Sequence, residues 1–239
     1  MATPRTLRPL VQTCRRISPS APSHRTFLPN PFADTSSSPQ TLTAHRVLPY
    51  PSAPIYSIIA DVPSYASFLP YCTRSDITHW SLPDKVYKRH WPSQGTLTSG
   101  FGGITESFVS RVYCVPGKYV ESVGGDTETS LAPDEIAHHL EAEGGDATRA
   151  VAGGDGGLLR HLRSRWMVED MGRDKTGVSL ALEFAFANPF YAALSGGVAD
   201  KVVDVMIRAF EQRVVKLLTE NPDMVKAGLA DLDGSRLKT

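Results

Sequence analysis

Between residues 178 and 218 the spacing of apolar side chains changes from every second residue to helical spacing. Val178, Leu180, Leu182, Phe184 and Phe186 alternate with the smaller set Ser179, Ala181, Glu183, Ala185 and Ala187, which is the pattern of a strand with one large apolar face. After Asn188-Pro189, the residues Leu194, Val198, Val202, Val205, Met206, Ala209, Phe210, Val214, Leu217 and Leu218 fit one broad helical stripe. Lys201, Asp204, Arg208, Glu211, Gln212 and Lys216 fall mostly on the other side. A strand therefore hands over to a long amphipathic helix. Pro189 suits the first turn, and Asn221-Pro222 with Gly228 marks the end. At about 1.5 Å per residue this helix spans on the order of 40 Å, long enough to lie along a whole sheet.

The residues upstream supply that sheet. Residues 42–48 form a short strand closed by Pro49-Tyr50-Pro51. Ser52 is a candidate N-cap for a short helix over 53–60, where Ile55, Ile58 and Ile59 have helical spacing. Asp61-Val62-Pro63-Ser64 breaks it, and Tyr65, Phe68 and Leu69 form a second turn of helix ending at Pro70. Residues 73–80, 95–101 and 104–115 read as strands. Pro116-Gly117 then joins the last of them to 118–123 as a hairpin. Gly100-Phe101-Gly102-Gly103 leads into a strand and not a helix, so it is a tight turn and not a phosphate loop. Residues 124–157 are rich in Gly-Gly pairs and acids, with Arg149 as the only positive side chain, and read as a flexible acidic insertion with a marginal helix at 133–143. Strands resume at 158–168, where Leu162, Ser164, Trp166 and Val168 share a face, and at 178–186. The order gives an α+β domain: a curved antiparallel sheet wrapped around a long C-terminal helix, with two short helices after the first strand.

The first 33 residues hold no acid, while Arg5, Arg8, Arg15, Arg16 and Arg25 are basic and Ser and Thr are frequent. Leu7, Leu10, Val11, Cys14 and Ile17 share one arc of a helical wheel. That is the composition of a mitochondrial transit peptide. The expected organisation is a transit peptide and linker over 1–40, a domain over 41–220 and a C-terminal tail over 221–239. With 25 basic and 25 acidic residues the chain is formally neutral, which gives no support to nucleic-acid binding. No run of 18 apolar residues occurs, and Cys14, Cys72 and Cys114 lack the close pairing of a disulfide framework or zinc site.

No catalytic constellation stands out. The chain lacks a Gly-x-Ser-x-Gly elbow, a P-loop, a His-Glu-x-x-His pair and a dinucleotide fingerprint. His138 and His139, adjacent on a helix, point in different directions and make no metal site with Glu141. Glu106, Glu121, Glu169 and Glu183 sit on strands without a recognisable acid/base partner. Aromatic and aliphatic residues are plentiful: Phe68, Leu69, Tyr71, Phe101, Phe108, Trp166, Phe184, Phe186, Tyr191 and Leu194 either fill an ordinary core or line a space between sheet and helix.

Several of these stretches resemble one family. Tyr56-Ser57-Ile58-Ile59-Ala60-Asp61-Val62-Pro63-Ser64-Tyr65, followed by Phe68-Leu69-Pro70-Tyr71-Cys72, is similar to the opening signature of the mitochondrial coenzyme Q-binding proteins of the START-like helix-grip superfamily. The resemblance continues through Leu97 with Gly100-Phe101, Ile104 to Val112, His161-Leu162 with Trp166, and Phe184 to Tyr191, and ends in the helix around Ala209-Phe210-Glu211. It covers nearly all of residues 41–218. The acidic 124–157 stretch is longer than the family pattern.

The resemblance implies a hydrophobic cavity holding ubiquinone or a related polyisoprenoid quinone, with no catalysis and no cofactor beyond that ligand. It implies a lipid chaperone supporting ubiquinone biosynthesis and respiration, peripheral to the matrix side of the inner membrane, with respiratory or quinone-biosynthesis complexes as further partners. On this reading Phe68, Leu69, Pro70, Tyr71 and Cys72, with Tyr191, flank the mouth, and Phe101, Trp166, Phe184, Phe186 and Leu194 line the cavity. Aspartate at position 68 or 69 is expected to abolish quinone retention and leave the fold intact. The alternatives are a polyketide cyclase or aromatase-like enzyme using a tyrosine or Glu106, and a ribosome-associated module.

Overall fold

A computed structural model describes residues 39–101, 104–141, 159–187 and 199–232. The transit-peptide expectation, the later part of the acidic insertion, the 188–198 connection with Tyr191 and Leu194, and the last residues of the tail lie outside the described residues.

Seven strands form one antiparallel sheet: β1 (Gln40–Leu48), β2 (Cys72–Trp80), β3 (Pro92–Phe101), β4 (Ile104–Val115), β5 (Tyr119–Gly125), β6 (Leu159–Gly172) and β7 (Lys175–Phe186). Their spatial order is β1-β7-β6-β5-β4-β3-β2, so every strand after β1 follows its chain neighbour and β1 returns to lie beside β7. The edges of the sheet are therefore β1 and β2. Tight turns explain the meander; Arg173 and Asp174, both with φ of 55°, form the two-residue loop between β6 and β7. Helix α1 (Ser52–Ala60), a 3-10 turn (Val62–Ser64) and α2 (Tyr65–Phe68) follow β1. Helix α3 (Ala137–Leu140) follows β5, and α4 (Ala199–Glu220) and α5 (Pro222–Lys226) follow β7. Ser52 is the first helical residue and no side chain caps α1.

Helix α4 lies on the concave face of the sheet. Its buried side is Val203, Ile207, Phe210, Val214, Leu217 and Leu218. The sequence pattern placed Val205 on that stripe, whereas 39% of Val205 is exposed. The true phase is turned toward Val203 and Ile207, because Phe210 fixes the helix by packing its ring on Trp166 at 4.9 Å between centroids. Residues 222–232, set outside the domain by the sequence reading, join the same core through Met224, Leu229 and Leu232. Arg89 ties this tail down: its Nη1 donates to the Leu229 carbonyl at 2.6 Å while its guanidinium lies 4.2 Å from the centroid of the buried Trp91 ring.

The stretch beginning at Gly124, read as a flexible insertion, is packed over its first part. Residues 126–141 cross the outer face of the sheet, where Ile136 closes a second core with Tyr113, Val115 and Val123. Polar groups hold it as well. The fully buried Glu121 accepts from Arg165 Nε at 2.7 Å and from Thr129 Oγ1 at 2.5 Å, and Arg163 Nη1 donates to Glu183 at 3.0 Å. Glu121 and Glu183, which looked isolated in the sequence, are thus paired with Arg165 and Arg163 across β5, β6 and β7.

His139 anchors α3. Its Nε2 accepts the backbone N–H of Cys114 at 2.9 Å, and Nδ1 lies 3.1 Å from Ser93 Oγ, so the neutral ring donates there. Burial first, and the neighbouring His138 second, push its pKa down to about 3. The unfolded chain carries histidine at about 6.5 and so binds more protons between pH 3 and 6.5. Stability is full above pH 6.5 and falls as the pH drops through that window, by at most about 1.4 kcal/mol per unit from this residue. His138, whose pKa burial also lowers, acts in the same sense. Denaturant unfolding at pH 7.5 and pH 5 is expected to show a steep loss for the natural chain. The His139→Gln variant should start about 1–3 kcal/mol less stable and show the flatter dependence.

Candidate functional site

The register places one residue from each of five strands on successive rungs of the concave face. One rung runs Ala44, Leu180, Trp166, Val120, Cys114; the next runs Leu42, Leu182, Ser164, Ser122, Val112. The first carries the large Trp166 at its centre, which Phe210 caps. Beyond it, toward the N-terminal half of α4, the middle of the sheet carries small residues: Ser122 and Ser164, then Gly124 beside Ser110. A Cβ on Gly124 would stand 3.2 Å from Ser110 Oγ and 3.3 Å from the Val109 carbonyl, so the sheet is close-packed there and only glycine fits without a shift.

The packing follows this division. At one end of the concave face Tyr56, Trp91, Trp166, Phe210, Leu217 and Leu232 are all buried. At the other, Phe68, Leu97, Phe108, Leu162, Leu182, Phe186 and Met206 are only half-buried, although most of them face the helix side of the sheet. Among the described residues, these half-buried apolar side chains outline a trough under the N-terminal half of α4, with Ser122 and Ser164 on its floor. No side chain among the described residues bonds to the Ser122 or Ser164 hydroxyl, and the two serines are direct cross-strand partners. In such pairs the Cβ atoms are about 4.5–5.5 Å apart, so both hydroxyls reach one point in the trough.

The residues expected at the mouth separate. Phe68 and Cys72 are half-buried against the main core, with the guanidinium of Arg213, one turn past Phe210 on α4, 5.9 Å from the Phe68 ring. Pro70 is half-buried too, while Tyr71 is exposed and held in the left-handed region at φ 66° with its carbonyl accepting from Gly100 N at 2.8 Å. Leu69 is only 5% exposed and belongs to the core, so aspartate at this position is expected to destabilise the fold and not to spare it. Trp166 sits in the closed end. Phe184 is buried and meets the half-buried Phe186 edge to face at 5.6 Å. Phe101 is placed by its backbone at the end of β3, paired with Ile104. Tyr191 and Leu194 lie outside the described residues. Sequence reasoning put Ser164 on the face of Leu162 and Trp166 but missed Ser122 and the pairing of the two, which the β5–β6 register alone reveals.

Acid/base chemistry has little footing here. Tyr56 donates to the Tyr119 carbonyl at 3.1 Å and Tyr65 to the Ile59 carbonyl at 2.6 Å, and burial above all holds both phenols well above their usual range. Burial likewise pushes the Cys114 thiol up to about 12, and Cys72 also rises. Glu106, half-buried on β4, pairs in register with Ser99 near the open end. Among the described residues no three His, Cys, Asp or Glu side chains are grouped to hold a metal. No described helix is long and apolar enough to cross a membrane.

The chain is similar to the mitochondrial coenzyme Q-binding protein coq10 of Schizosaccharomyces pombe, at 29% identity over 74% of this chain and 90% of that one. It is 28% identical to the mitochondrial coenzyme Q-binding protein COQ10 of Eremothecium gossypii, over 88% of this chain and 89% of the relative. Among solved structures, a START superfamily protein from Mycobacterium smegmatis superposes with a TM-score of 0.52 at 16% identity, covering 74% of this chain and 98% of that one. Residues 48–211, more than half of the chain, match the profile described as polyketide cyclase / dehydrase and lipid transport. With the gripped helix and the half-open concave face, that match means that the chain belongs to the polyketide cyclase / dehydrase and lipid transport family.

Proposed function

We propose that the chain binds a polyisoprenoid quinone of the coenzyme Q type in the trough and carries it without chemical change. The observation that supports this most directly is the trough itself: apolar walls half open under α4, with two hydroxyls on its floor that have no partner among the described residues. Apolar walls suit an isoprenoid tail. A carbonyl oxygen accepts two hydrogen bonds, so Ser122 and Ser164 together satisfy one oxygen of the quinone ring. The names of the relatives point to the same ligand. The basic, acid-free N-terminus supports work in mitochondria, and we place the protein on the matrix side of the inner membrane, at its surface. Phenols and thiols held neutral by burial favour carriage over the cyclase reading.

Organic extraction of the purified chain followed by mass spectrometry tests the ligand. Near-stoichiometric quinone is expected; a folded, empty protein that takes up no added ubiquinone, but turns over a supplied polyketide, overturns the reading in favour of an enzyme.

Substitutions separate head from tail. Ser122→Ala with Ser164→Ala removes two neutral hydrogen bonds, about 1–3 kcal/mol together, and should weaken quinone binding while sparing an isoprenoid hydrocarbon that lacks the ring. Ser122→Leu with Ser164→Leu fills the floor and should exclude both, with the circular dichroism of the native fold retained. Phe68→Asp should reduce retention of both. Equal quinone affinity in all three variants would remove the trough as the site.

A further inference from the structure

The two edges of the sheet are not alike. β2 loses register three times against β3, between Cys72 and Arg74, Ile77 and His79, and His79 and Trp80, and such irregularity blunts an edge against further pairing. β1 is different. Its nine residues pair with β7 in unbroken register from Gln40 to Leu48, and it holds no proline, lysine or bulge. Beyond that ladder, no backbone-to-backbone hydrogen bond involves β1 among the described residues. Among the described residues one regular edge thus carries no further pairing.

A groove of about 540 Å³ adjoins it, lined by Arg46, Arg208, Glu211, Gln212, Val215 and Lys216. Arg46 reaches from β1 toward α4, with Nη2 3.8 Å from Asp204 and Nε 3.6 Å from Glu211, and so offsets the acids on that flank. Arg208 and Lys216 have no carboxylate partner among the described residues. On the outer side of α4 they share an arc of about 100° with Lys201, Val205, Gln212 and Val215. The groove thus combines a regular strand edge, surplus positive charge and the partly exposed Val215, at 44%.

We propose that this groove docks an extended acidic segment of a partner protein, which adds to β1 as an eighth, outer strand. Main-chain hydrogen bonds to β1 supply the pairing, and the cations select its sequence. Arg208 and Lys216 are eight residues apart, about 12 Å along the helix. Acids at positions i and i+4 of an extended strand lie on one face about 13 Å apart, which matches. A second copy of this chain is disfavoured, because pairing β1 with β1 would bring two cationic flanks together.

The test uses the full chain and a fluorescent peptide of about ten residues, with glutamate at every fourth position and valine and threonine between. Saturable binding at low ionic strength is expected, together with slowed hydrogen exchange of the β1 amides. Arg208→Glu with Lys216→Glu, both on the exposed side of α4, should weaken binding by about tenfold or more. Backbone N-methylation of the peptide at alternate residues, on the edge that pairs, should abolish it. No binding overturns the proposal, as does binding indifferent to N-methylation, which would be charge contact alone. So does a charge-reversal effect seen only with phosphatidylglycerol vesicles, which would make the groove a membrane contact.

Discussion

The contact between Phe210 and Trp166 sets the depth at which α4 rests on the sheet. Each ring buries on the order of 150–250 Å², and losing either side chain from a packed core typically costs about 3–5 kcal/mol. Trp166 is the largest side chain of its rung, in the middle of the concave face, so two aromatic rings stand between the helix and the sheet there. On the neighbouring rung the sheet offers only serines at its centre. A straight helix cannot descend to fill that space without driving Phe210 into Trp166. The trough is therefore a consequence of uneven side-chain size under a rigid helix.

A fold that leaves part of its central face unfilled needs stability from elsewhere. The closed end supplies some of it, through Tyr56 stacked edge to face on Trp91 at 5.6 Å and through the C-terminal tail, which inserts Leu229 and Leu232 into the core. The outer face supplies more. Ile136 and its neighbours make a second apolar cluster, and Glu121 is satisfied by Arg165 and Thr129 while out of contact with solvent. A buried carboxylate with that many donors is costly to disturb, so the outer layer holds β5, β6 and β7 together as a plate beneath the trough.

Much of this was legible in the sequence where a period carries the information. The alternation in β7 and the switch to helical spacing gave the two elements that define the fold, and the motif resemblance placed them in the right architecture. What periodicity cannot give is the phase of a face whose apolar arc is broad. Val202, Val203, Val205, Met206 and Ile207 are all apolar, and only the Phe210 contact decides that Val203 and Ile207 point inward. The polar floor was illegible for another reason: Ser122 and Ser164 are 42 residues apart and meet only through the β5–β6 register. Residues 126–141 misled because Gly-Gly pairs and acids dominate the whole stretch. Its anchors are few, and two of them, Ile136 and His139, gain meaning only against β4.

The trough and the β1 groove use opposite sides of α4. Met206 faces the sheet side and Arg208, two residues later, faces the groove. Communication between two such sites requires an element with two positions whose balance both ligands bias. Helix α4 is a poor candidate for that element. Phe210 pins it from beneath, Arg46 bridges it to β1 at Asp204 and Glu211, and Asn221 holds its end by donating from Nδ2 to the Leu217 carbonyl at 3.1 Å. A strand added at β1 meets a helix already fixed, so occupancy of the groove should leave affinity in the trough unchanged. The arrangement suits the proposed carrier, with one surface for recruitment and another for loading.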